Sequence, residues 1–166
     1  MFRIVIITLL LFCGCTAAKL SSNAVTFYVV RHAEKETAPS NMTTDVPLSA
    51  AGKERAEALK KILEGKVQLI FSTNTKRTTG TAQPLVSGNI SNIQIYDHRD
   101  TAFLNRLKNN TANSLIVGHS NTVDDIVNFL MDSTVLKDLP DTAYGELFIV
   151  ERKNGIYNFR RSRFGK

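Results

Sequence analysis

Cysteine is nearly missing from this 166-residue chain: there are two, Cys13 and Cys15, and none after them. A body without cysteine excludes a disulfide framework and any zinc site built on thiolates. Histidine is scarce too, and His32, His98 and His119 are too scattered for the short spacings of a metal-ligand motif. No apolar run reaches the roughly 20 residues that a membrane span needs. Internal repeats, low-complexity tracts and nucleic-acid-binding motifs are missing as well. What remains is the make-up of a globular protein, 43% hydrophobic and 22% charged, at a length that suits one domain with a sizeable core.

The first residues differ from the rest. Met1-Phe2-Arg3 followed by the apolar run Ile4 to Phe12 has the build of a bacterial export signal. Phe12-Cys13-Gly14-Cys15 resembles a lipoprotein lipobox, with Cys15 as the residue to be lipidated, although Phe12 stands where such motifs usually carry Leu. Thr16-Ala17-Ala18 offers the alternative of ordinary cleavage and a soluble product. The expected organisation is a signal over 1–15, a linker over 16–24 and one domain over 25–166, exported to the periplasm or anchored to the membrane through Cys15. The net charge of +6 sits mostly in the last sixteen residues, where six Lys or Arg face one acidic residue. That reads as a solvated basic edge, or as an attraction to anionic lipid or substrate.

Periodicity gives the architecture. Val25 to Val30 is a charge-free run of β-favouring residues, as in a strand buried on both faces. Pro47-Leu48-Ser49 opens a helix, with Ser49 as N-cap, Ala56, Leu59, Ile62 and Leu63 at helical spacing, and Gly65 as the stop. Gly52 inside it costs about 1 kcal/mol against Ala. Strands follow at 67–71, 93–96 and 114–117, each leading into a helix: one to about Val86, one with Phe103, Leu104 and Leu107 inward, one with Val123, Ile126, Val127 and Leu130 on one face. A closing β-hairpin pairs 147–150 with 156–160 across Lys153-Asn154-Gly155. Four strand–helix alternations predict an α/β fold, a mostly parallel sheet covered by helices.

In such sheets ligands bind at the carboxyl ends of the strands. Four of those ends offer Arg31-His32, Arg77, Asp97 or Asp100, and His119. Arg77 falls in the first turn of a helix, where free N–H groups and the dipole favour an anion. Arginine beside histidine places a fixed cation next to a potential nucleophile, which suits a phosphate ester. Gly118-His119-Ser120-Asn121-Thr122 also comes near a serine-hydrolase nucleophile elbow, but the second glycine is missing and no histidine follows it.

The blocks Arg31-His32-Ala33-Glu34, Pro47-Leu48-Ser49 with Gly52, Ser72 to Arg77 with Thr81-Ala82, and Gly118-His119-Ser120 resemble, in order and spacing, the signature of the histidine phosphatase superfamily, which includes the phosphoglycerate mutase-like enzymes. The resemblance spans roughly residues 25–150. It implies a three-layer α/β fold in a small single-domain member, phosphoryl transfer without metal or other cofactor, His32 as the phosphorylated nucleophile, and Arg31, Arg77 and His119 as the phosphate pocket. By the chemistry of such a step His119 serves best protonated, as a further donor, and the expected partner is a small phosphorylated substrate. A general acid falls nearest Asp97, with Asp100 as second choice, whereas the family's small phosphohistidine phosphatases can work without one. Ala33 and Glu34 depart from the Arg-His-Gly pattern of many mutase-like members, and long cap insertions are missing, which implies an open pocket. The rival from another class is an exported lipoprotein that binds a phosphorylated ligand in the same pocket without turning it over. Nothing in the chain sets an oligomeric state, and nucleic acid is not an expected partner.

Overall fold

The structure is a computed structural model that describes residues 24–38 and 45–165. The expected signal with Cys15, and the linker as far as residue 23, lie outside the described residues. Among those described, no helix is long and apolar enough to cross a membrane.

The first strand, β1 (Val25–Arg31), alternates its large side chains between two cores. Phe27 and Val29 enter one, Tyr28 and Val30 the other. Burial on both faces is why the run carries no charge. Helix α1 (Ala50–Leu63) begins where the Ser49 hydroxyl accepts the Gly52 N–H at 3.1 Å, and it buries Ala56, Leu59 and Leu63. Strand β2 (Leu69–Ser72) leads to α2 (Lys76–Ala82), which tightens into a 3-10 turn over Gln83–Leu85. Strand β3 is only Gln94–Ile95, both exposed, shorter than the periodicity predicts. Helix α3 (Thr101–Asn109) is capped by the Asp100 carboxylate, which accepts the Ala102 N–H at 2.8 Å. Strand β4 (Ser114–Gly118), buried throughout, feeds α4 (Val123–Met131). The hairpin of β5 (Glu146–Lys153) and β6 (Ile156–Arg163) turns at Asn154 and Gly155, with φ of +53° and +78°, the left-handed pair that tight hairpins require.

The six strands form one mixed sheet in the order β3-β2-β4-β1-β5-β6. The first four are parallel and the closing hairpin runs antiparallel to them. Helices α1 and α2 share one core with a face of the sheet, and α3 and α4 share the other core with the opposite face, so the three expected layers are present. Fully buried Phe27 and Phe148 each contribute about 1.5–3 kcal/mol by leaving water.

Gly52 has a reason beyond propensity. A Cβ there would lie 2.0 Å from the Glu34 carbonyl oxygen, so α1 packs its first turn directly on the loop after β1. Ser49 N–H donates to that same carbonyl at 3.0 Å. Glu34 in turn holds Arg55 of α1 through both carboxylate oxygens, at 2.6–2.9 Å. The loop carrying His32 is thereby fixed to a helix.

Candidate active site

Strands β1, β4 and β2 end side by side, and the backbone stitches their ends together: His32 N–H donates to Gly118 O at 3.0 Å, and Thr73 N–H to Val117 O at 3.3 Å. Above them lies a cleft of about 500 Å³ lined by Arg31, His32, Lys35, Arg77, His119, Ser120, Asn121, Asp141 and Tyr144. Arg31, His32, Arg77 and His119, four groups that the sequence singles out, therefore meet in one place.

His32 is 4% exposed and its Nδ1 lies 2.7 Å from the Ala33 carbonyl oxygen. A carbonyl only accepts, so Nδ1 carries the hydrogen and the lone pair of the neutral ring is on Nε2. Burial first, then the nearby Arg31, Arg77 and His119, push its pKa down to about 3, so the ring is neutral at ordinary pH. An unprotonated nitrogen in a cationic cleft is what a nucleophile toward a phosphate ester requires.

His119 stands edge-on to His32, with ring centroids 5.5 Å apart. Arg77 donates toward its Nδ1 at 3.4 Å, and its Nε2 lies 2.9 Å from the Thr73 hydroxyl. Because Nδ1 accepts from arginine, Nε2 is the protonated nitrogen and donates to Thr73. Burial, followed by Arg77, His98 and Arg31, lowers its pKa to about 4. Without an anion in the cleft the ring is thus neutral at ordinary pH, and an anion there is the counter-charge that favours the protonated form expected from the sequence.

The two arginines are held differently. Arg77 donates to His119 and faces Asp45 at 3.8 Å. Arg31, 6% exposed, donates through Nη1 to the carbonyls of Pro140 and Ala143 at 3.1 and 3.4 Å, and its guanidinium stacks 4.4 Å over the Tyr144 ring. Its buried Nε has no hydrogen-bond partner among the described residues, and Nη2 faces Asp141 at 3.6 Å. One edge of the fork thus holds the chain while the other is directed elsewhere. At the α2 N-terminus it is the chain's own Asp45 carboxylate that accepts the Lys76 N–H, at 2.8 Å. The Arg77 side chain lines the cleft itself.

Two threonines position these groups. The Thr81 hydroxyl accepts the Ala33 N–H at 2.9 Å and donates to Arg77 O at 2.8 Å, joining the His32 loop to the first turn of α2. Thr73 orients His119, as described. Among the described residues no three His, Cys, Asp or Glu side chains gather as metal ligands would.

Asp97 is not brought to the cleft. Its exposed carboxylate accepts the Arg99 N–H at 2.9 Å and faces the Arg99 guanidinium at 3.4 Å. Those contacts, the backbone one first, hold its pKa below the usual range, the wrong direction for a proton donor. Asp100, the second choice, is committed to capping α3. Conversely, Lys35, Asp141 and Tyr144 line the cleft without having been singled out in the sequence. The last two belong to the coil between α4 and β5, which has no periodicity to read, yet β5 runs antiparallel beside β1 and must start where β1 ends.

The sequence model of the histidine phosphatase superfamily (branch 1) matches residues 27–100. Among curated proteins no sequence matches. In fold the chain is similar to the protein histidine phosphatase SixA complexed with tungstate, with TM-score 0.65 and 16% identity over 84% of this chain and 97% of that one. It is similar to phosphoglycerate mutase from Bacillus anthracis str. Sterne, with TM-score 0.63 and 16% identity over 85% of this chain and 93% of the other. A mutant phosphoserine phosphatase from Entamoeba histolytica, in complex with phosphoserine, gives TM-score 0.61 and 12% identity over 84% and 96%. In sequence pattern over residues 27–100, and in fold over most of its length, this chain is similar to the histidine phosphatase superfamily, in a small single-domain form.

Proposed function

We propose that the protein is a phosphatase that hydrolyses phosphate monoesters or phosphohistidine without a metal ion, through a phosphohistidine on His32. The observation that carries this reading is the tautomer of His32: Nδ1 is tied to the Ala33 carbonyl, which leaves the Nε2 lone pair in a cleft shared with Arg31, Arg77 and His119. Attack by Nε2 on phosphorus spreads charge over the equatorial oxygens, where Arg77 and the Nε–Nη2 edge of Arg31 are suited to receive it. His119 gains a proton more readily as that negative charge enters, and then donates to the transferring group. Water completes the cycle by attacking the phosphohistidine. Ala33 and Glu34 in the motif support a phosphatase over a mutase. The proposed site of action is outside the cytoplasm, in the periplasm or on a membrane through lipidated Cys15, supported by the sequence pattern of residues 1–15.

The test is hydrolysis of an aryl phosphate by the purified protein with excess chelator, together with acid-labile phosphate labelling. Chelator-resistant turnover with label on His32 is the expected result. Phosphate binding without turnover or label would instead favour the non-catalytic binding protein.

A further inference from the structure

A departing alkoxide needs a proton, and neither Asp97 nor Asp100 can supply it from where the fold leaves them. The loop of residues 132–145, between α4 and β5, offers another carboxyl. Among the described residues that line the cleft, Asp141 is the only one that bears a carboxylate. Its Oδ1 lies 3.2 Å from the Ser120 hydroxyl, which donates to it, and 3.6 Å from Nη2 of Arg31. Its side chain is 92% exposed, so it faces the open side of the cleft, where the leaving half of a substrate must lie if the phosphoryl group sits below among Arg31, His32, Arg77 and His119. The other nearby carboxylates are committed elsewhere: Glu34 to Arg55, and Asp45 to Lys76 N–H and Arg77.

Resting on the phosphohistidine reading above, we propose that Asp141 is the proton donor to the leaving group and that the cleft is built for phosphate monoesters of alcohols rather than for phosphohistidine. In the first step the bond between His32 Nε2 and phosphorus forms as the phosphorus–oxygen ester bond breaks. The electron pair stays on the departing oxygen, which takes the proton from the Asp141 carboxyl. In the second step water attacks phosphorus and Asp141, now a carboxylate, receives the proton that water releases. The Nε2–phosphorus electron pair returns to His32, and inorganic phosphate leaves. The donor is thereby restored, and the starting proton is one that a monoanionic ester carries in. A phosphohistidine substrate whose other ring nitrogen carries a proton departs as a neutral imidazole, a far weaker base than an alkoxide, and has little use for such a donor.

The leaving group distinguishes this role from a structural one. The full chain and its Asp141→Asn and Asp141→Glu variants are assayed on an alkyl ester, glycerol phosphate, on 4-nitrophenyl phosphate, whose phenolate departs without protonation, and on a phosphohistidine peptide. Asp141→Asn is expected to lose about 100-fold in kcat/KM on the alkyl ester, at least about 30-fold more than it loses on the aryl ester, with Asp141→Glu recovering part of the alkyl activity. Equal losses on both esters would mean that Asp141 only steadies Arg31, and no loss on either would mean that it is idle; each result overturns the proposal. A native protein that cleaves phosphohistidine far faster than the alkyl ester would overturn the substrate class alone. A native protein that turns over none of the three would overturn the phosphatase reading, and this one with it.

Discussion

Two loops at the same edge of the sheet carry carboxylates, and they end up in opposite circumstances. Residues 97–100 follow β3, a two-residue strand at the rim, separated from β1 by β2 and β4. Their acids turn to local partners: Asp97 to Arg99, and Asp100 to the start of α3. Residues 132–145 precede β5, the direct neighbour of β1, and reach Arg31 with two carbonyls, a carboxylate and an aromatic face. Position across the sheet, rather than order along the chain, decides which loop meets the cleft of Arg31 and His32.

The comparison fails at its root if the central strands do not own the chemistry, so the largest effect belongs to His32. His32→Ala should lower aryl phosphate turnover by at least about 10⁴-fold, read by product release, because the loss of a covalent nucleophile removes the route and not a single contact. Next is the link between β1 and α2. Thr81→Val would leave the Ala33 N–H buried and unbonded at a cost of about 1–3 kcal/mol, measurable as a lower urea midpoint together with weaker activity as Arg77 loses its register with His32.

Acid should reveal the same centre. His32 has a folded pKa of about 3 against roughly 6.5 in the unfolded chain. Between those values the unfolded state takes up a proton that the folded state refuses, so stability falls as pH drops through that window. His119, at about 4, acts in the same sense. The Asp124 carboxyl, raised by burial, opposes them, in native and variant alike. Thermal midpoints measured at pH 7 and pH 5 should therefore drop more for the native protein than for His32→Ala. The smallest effect falls at the rim: Asp97→Asn should change turnover of either ester by less than about twofold, since surface changes away from special features move little. A loss of 100-fold there would restore the β3 loop to the mechanism.

How much of this could be read from sequence follows the same geography. Strand β1, the Ser49 cap and the four strand–helix alternations are written in local patterns of apolar spacing and capping, and all are present. Arg31, His32, Arg77 and His119 were legible because parallel strands deliver their carboxyl ends to one edge. Asp141 and Tyr144 were not, because reaching that edge from the amino end of a strand depends on β5 running antiparallel to β1, a pairing that no local pattern in the coil encodes. Asp97 was misplaced because its neighbour Arg99 offers a closer partner than the cleft does, and a short rim strand cannot hold the loop inward.

The divided guanidinium of Arg31 has a consequence for how the protein tolerates change. One nitrogen keeps the chain of residues 140–143 in place, while on the opposite edge Nη2 faces Asp141 and the buried Nε has no partner among the described residues. Lysine would preserve the charge but present a single nitrogen, unable to serve two directions at once. A swap that counts as conservative by charge would here force a choice between holding residues 140–143 and facing Asp141, so shape matters at this position as much as sign.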